Sequence, residues 1–214
     1  PRPAAHPVVP ARSVRARDET RPGRTTSHGS LEVMAHPVFG TLTPMPAAGH
    51  PELLNPATHA AVLAHLPDAL VAPIDPELAD TAAMCAAYGV PPEVSANVVL
   101  ITGKRAGQTR QVACQVLATH RVDVNGRVRR ALNVRKASFA AMAEAVAASG
   151  MAYGGITPVG LPGDWPVWVD GAVADCAWIC LGSGVRESKL FMPGADLLKL
   201  PTAIRVAGLA HPAG

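Results

Sequence analysis

From Asn55 onward the apolar positions fall into short runs whose spacing switches between helical and strand periods. Asn55-Pro56 reads as an N-cap with proline at the first helical position, and AVLAHL carries that helix to about Leu66. ALVAPI (69–74) alternates as a strand. Asp75-Pro76-Glu77 then opens a second helix through LADTAAMCAAY, which Gly89 and Pro91-Pro92 terminate. ANVVLIT (96–102) predicts a buried strand, GKRAGQ a turn, and TRQVACQVLAT (109–119) the hairpin partner. VDVNGRVRRAL (122–132) reads as a helix with basic residues on one side. RKASFA reads as a short strand, and AAMAEAVAAS (140–149) as a helix stopped by Gly150. Beyond the loop GGITPVGLPGDW, the runs PVWVD, CAWICLGSG and SKLFM are strands, GADLLKL a terminal helix and IRVAGL a last strand. Hairpins mixed with single helices, without strict strand–helix alternation, define a mixed α+β domain.

The region before Asn55 has no such pattern. Residues 1–33 are rich in Arg, Pro, Ser and Thr and are expected to be disordered. They lack the apolar core of a secretory signal and the amphipathic period of a transit peptide. Residues 35–51 stay proline-rich and read as an irregular arm. The expected organisation is thus an arm over 1–51 and one domain over 52–214. With 49% hydrophobic residues in 214, most of the chain is not disordered, and no run of 18 apolar residues suggests a membrane span. The four cysteines are scattered except for Cys176 and Cys180, which fits neither a disulfide framework nor a zinc ribbon. A reducing cytosol is the expected compartment.

Charge changes the picture. The net +3 of the whole chain is also the net charge of residues 1–33, so the rest is neutral. Within that neutral remainder, nine Lys and Arg side chains lie between Lys104 and Lys136 against the single acid Asp123. Such a cluster suits a polyanion such as RNA, although a solvated set of helix and loop faces has the same composition.

Few motifs carry chemistry. GSGVR (182–186) is a glycine turn after a strand and lacks the helix of a phosphate loop, so a tight hairpin turn is the plainer reading. Cys176 and Cys180 read as packed thiols on one strand face, because no His or Asp completes a metal set. No Ser-His-Asp or Cys-His order emerges, and neither a metal nor another cofactor is expected. The loop Gly154-Gly155-Ile156-Thr157-Pro158-Val159-Gly160 is the best candidate site. Its glycines admit a ligand close to the backbone, and its N–H groups can stabilise an oxyanion without any side chain.

Over residues 69–209 the chain resembles the YbaK and prolyl-tRNA-synthetase-associated editing domains. The likeness rests on IDPELADTAAMCAAYGVPPEVSANVVLI, RVDVNGRVRRALNVRKASFA, GGITPVG, WPVWVD and GSGVRESKLFMPGADLLKL, in that order. It implies a curved, partly open mixed sheet with surrounding helices. It also implies a trans-acting hydrolase that cleaves the ester of a mischarged aminoacyl-tRNA, using the tRNA's own hydroxyl and a water. The partner is then the aminoacylated 3′ end of a tRNA, with room for an aminoacyl-tRNA synthetase and none for a membrane. Carried over, Gly154, Gly155 and Ile156 would act on the ester carbonyl, with Thr157 and Pro158 binding the 3′ end. Substrate contacts would also come from Ala96 and Asn97, the turn residues Gly182, Ser183, Gly184 and Arg186, and Lys136.

Two positions depart from the family pattern. Its usual functional Lys aligns with Ala96, and its usual acidic residue aligns with Lys189. If both face one cavity, the cation has moved from one wall to the other, and Lys189 joins the catalytic set. If not, the domain is a degenerate module that binds RNA or aminoacyl-adenosine. Hydrolysis of another small ester or amide is a third reading.

Overall fold

The structure is a computed structural model that describes residues 36–213. The expected disorder of residues 1–33 therefore lies outside the described residues. Residues 36–51 pack against the rest of the domain. Phe39 is buried, with its ring edge-on to Phe191 (centroids 5.1 Å apart) and Trp178 (5.4 Å). Burying one such ring contributes roughly 1.5–3 kcal/mol, and Val38 and Ala47 of the same segment are buried with it. Strand β1 (Met45–Pro46) then pairs antiparallel with β2 (Leu70–Pro73).

Between them lies α1 (Pro56–His65), whose cap is as the sequence predicts: the Asn55 side chain accepts from the Ala57 N–H at 3.0 Å. The second helix starts later than the sequence suggests. Asp75 caps only a 3-10 turn (Pro76–Leu78), and Asp80 caps α2 (Thr81–Tyr88). Two consecutive Asp caps split what reads as one helix, because each offers the chain a local alternative to continuing helix. Strands β3 (Ala96–Arg105) and β4 (Gln108–Leu117) form a ten-residue hairpin, paired from Ala96–Leu117 to Arg105–Gln108. Its turn is Ala106-Gly107, both at positive φ, as a two-residue hairpin requires. The ladder runs three residues past the apolar pattern because its charged tip needs backbone pairing but no burial.

After β5 (His120–Val122), Asp123 accepts from the N–H groups of Gly126 and Arg127, nucleating a helical segment that ends as α3 (Arg129–Ala131). Then follow β6 (Ala137–Phe139), α4 (Met142–Ser149), β7 (Val167–Asp170), α5 (Gly171–Ala174), β8 (Ile179–Gly182), β9 (Ser188–Met192), β10 (Ala203–Val206) and β11 (Ala210–Pro212). The stretch GADLLKL is a 3-10 helix (Gly194–Lys199) rather than an α-helix. Cys176 lies ahead of β8 and donates to the Ala172 carbonyl, so it does not share a strand face with Cys180.

The result is a mixed α+β fold of open sheets, as expected. One sheet has the order β1-β2-β9-β8, a second β10-β7-β4-β3-β6, and a small third pairs β5 with β11. The two larger sheets face each other across the main core, which takes Val71, Leu181 and Leu190 from one and Leu100, Ala113 and Val167 from the other. Their outer faces are covered too: Phe39, Met84 and Val90 lie on the first, and Val128, Leu132 and Leu209 on the second. Among the described residues no helix is long and apolar enough to cross a membrane.

Candidate active site

A cavity of about 270 Å³ opens where the start of β3, the start of α2, the 153–156 loop and β9 meet. Ala96 and Lys189 stand on its walls together, with Asn97, Gly154, Ile156 and Gly182. Lys189 is 4% exposed. Its ammonium donates to the carbonyls of Ala79 (2.7 Å) and Gly154 (3.3 Å), and no carboxylate among the described residues lies within ion-pair reach. Burial pulls its pKa below the usual 10.5, opposed by the fields of Cys180 and Asp80. Burial also pushes the neighbouring Cys180 thiol up to about 12, which keeps it protonated and poorly nucleophilic.

The frame around this cation is held by backbone contacts. Arg186 donates to the Tyr153 carbonyl (3.1 Å) and the Pro76 carbonyl (2.6 Å), tying the loop to the turn before α2. Across the cavity the Thr81 hydroxyl donates to Asn97 Oδ1 at 2.7 Å, joining α2 to β3. Ala79, Asp80 and Thr81 are among the lining residues that the sequence did not single out. Their one signal was the second Asp cap, which places a helix start, and its adjacent carbonyl, beside β3.

The glycine loop divides into two roles. Gly154 and Ile156 line the cavity, and their N–H groups make no hydrogen bond among the described residues. Gly155 does not share that role. Its N–H is spent on the Ala152 carbonyl, its carbonyl accepts from Gly184, and an added Cβ would lie 2.0 Å from the Val185 carbonyl oxygen. It is glycine so that two backbones can touch. Thr157 and Pro158 are also buried and do not line the cavity, and the Thr157 hydroxyl accepts from the Val159 N–H. Ser183 is buried and donates to the Ser188 carbonyl, while Gly184 packs on Asn55; neither lines the cavity. Lys136 is exposed ahead of β6 and stands away from the cavity. Of the residues singled out in the sequence, Ala96, Asn97, Gly154, Ile156, Gly182 and Lys189 are brought together.

The basic cluster forms a second feature at the far end of β3. Arg105 donates to the Asn133 carbonyl and Arg110 to the Leu132 carbonyl, which packs the hairpin tip against the segment holding α3. Lys104, Arg121, Arg127, Arg130, Arg135 and Lys136 stay exposed around it, and none forms an ion pair among the described residues.

The fold is thus an open α+β domain of two large sheets and a small third, with one buried lysine in a small cavity. A model of the aminoacyl-tRNA editing domain matches residues 75–200, more than half of the chain, and the chain belongs to that family. No curated protein matches it. Among solved structures it is similar to a proposed trans-editing enzyme for prolyl tRNA synthetase, at 18% identity and TM-score 0.61, covering 72% of this chain and 97% of that one. It is equally similar to a protein described only as hypothetical, at 18% identity and TM-score 0.63, covering 72% and 99%. These likenesses concern the fold.

Proposed function

We propose that this protein is a trans-acting aminoacyl-tRNA deacylase whose reaction centre is the cavity between Ala96 and Lys189. The observation that carries the reading is the buried ammonium. A lysine out of water without a carboxylate partner costs stability that a leucine there would not, and such placements concentrate at working sites. An ammonium has three donors, and the two carbonyl contacts of Lys189 leave one for a substrate.

The chemistry needs little else. Water attacks the ester carbonyl carbon, and charge develops on the carbonyl oxygen. The carbon–oxygen bond to the ribose then breaks, and the proton lost by water passes to the departing ribose oxygen through the vicinal hydroxyl. The N–H groups of Gly154 and Ile156 and the free Lys189 donor suit that developing charge, because they are fixed in place before the reaction begins. About 270 Å³ lies just below the usual range for small-molecule pockets, which suits an aminoacyl group entering with its nucleoside left at the mouth. The exposed bases near the hairpin tip suit the phosphates of the same RNA.

The test is single-turnover release of amino acid from a panel of mischarged tRNAs, beside Lys189→Ala. We expect release of one or a few amino acids, reduced about 100-fold or more in the variant. Tight tRNA binding with no release across the panel would instead identify an aminoacyl-adenosine-binding module. Full activity in Lys189→Ala would remove the ammonium from the mechanism.

A further inference from the structure

Eight aromatic residues occur in the chain, and two of them are exposed: Phe139 at 63% and Tyr153 at 56%. A single exposed aromatic needs no explanation, but these two line the same groove. That groove, of about 410 Å³, also exposes Met142 and shares Val98, Tyr153 and Ile156 with the cavity that holds Lys189. At its other end Phe139 is shared with a second groove of about 430 Å³, where Asp123, Asn125, Ser138 and His211 supply polar edges, the Asp123 carboxylate being engaged by the N–H groups of Gly126 and Arg127. Arg127 and Arg130 follow directly in the chain from that second groove. One continuous path therefore runs from the buried ammonium, over Tyr153, Met142 and Phe139, to the groove edged by His211 and Asn125, the latter two residues before Arg127 in the chain.

We propose that the groove from Tyr153 to Phe139 is a stacking track for the unpaired bases that precede the terminal nucleotide of an RNA 3′ end. This rests on the deacylase reading only for the placement of that terminus in the cavity. Flat faces on an apolar floor, polar groups at the edge and cations beyond are the parts that single-stranded RNA uses, and stacking tolerates any base. A protein partner would meet the same apolar floor, but nothing in such a partner calls for a cavity with a cation at one end and a cluster of cations at the other.

The experiment uses the full chain and two uncharged RNA hairpins with the same duplex. One carries a short unpaired 3′ overhang containing 2-aminopurine, and the other is blunt. Wild type should quench the fluorescent base on binding. Phe139→Ala should weaken overhang binding by about 5- to 150-fold, leave blunt-hairpin binding unchanged, and be reversed by Phe139→Trp. Because Phe139 is largely exposed, the alanine variant should keep its fold, which its melting temperature would show. Overhang binding that ignores Phe139, or equal losses on both RNAs, would overturn the track while leaving deacylation intact. If wild type binds neither RNA, the track is overturned, while release of amino acid from mischarged tRNA still decides the deacylase reading.

Discussion

The two positively charged regions of this molecule are built on opposite principles. The cavity holds one cation, buried, fixed by two carbonyls at 2.7 and 3.3 Å, with its pKa drawn down by the loss of water. The hairpin tip and the segment from β5 to β6 hold seven exposed cations that form no ion pair among the described residues. A buried charge acts at one atom and is barely screened, whereas exposed charges act together and weaken as salt is added. One region is suited to chemistry and the other to attraction, so perturbing them should change different observables.

The sharpest way to break the contrast is to move the buried cation. Placing lysine at Ala96 in a Lys189→Ala background returns the charge to the wall where the resemblance expects it. We expect the double variant to regain about tenfold or more of the deacylation that Lys189→Ala loses, measured by single turnover. No recovery would mean that the carbonyl contacts of Lys189, rather than the presence of a cation in the cavity, are what matter.

Removing three exposed charges together (Arg121→Ala, Arg127→Ala and Arg130→Ala) should act elsewhere. The slope of log affinity against log salt for tRNA should become shallower by about 2, and affinity should fall about tenfold at physiological salt. The rate of the chemical step at saturating tRNA should not change. A fall in that rate would show that the two regions are not separable.

The smallest effect concerns pH. Lys189 has a lower pKa folded than unfolded, so between the folded value and 10.5 the unfolded chain binds more protons. Stability must therefore rise with pH across that window. Below it, burial of the charge counts fully against the fold. Lys189→Met should accordingly melt above wild type at neutral pH, with the difference shrinking as pH climbs toward 10.5. A constant difference would mean that the ammonium's hydrogen bonds offset its burial.

How much of this was legible in the sequence depends on whether the signal was local. The Asn55 cap, the β3–β4 hairpin and the glycine stop after α4 all declare themselves within a few residues, and the structure contains them. The small β5–β11 sheet did not, because His120–Val122 and Ala210–Pro212 are short edge segments without an alternating apolar pattern. The seating of Phe39 was also hidden, since its partners Trp178 and Phe191 lie far along the chain. At the site, Lys189 could be noticed only as a departure from a family pattern. The Ala79 and Gly154 carbonyls that hold it are main-chain atoms, and a sequence does not show where main-chain atoms meet. Gly155 illustrates the converse: its motif position suggested a ligand contact, while the demand it answers is the close passage of Val185.

The ten-residue β3 strand also has a metric consequence. It begins at Ala96 in the cavity wall and ends at Arg105 among the exposed bases, which sets the two about 30 Å apart at the usual rise per strand residue. On the proposed reading the strand works as a calliper, with the reaction at one jaw and charge at the other. A free aminoacyl nucleoside or a very short oligonucleotide fills only the first jaw, and its hydrolysis should be indifferent to salt. On that reading only a nucleic acid long enough to reach across would close both, and selection by length would precede the reading of any base.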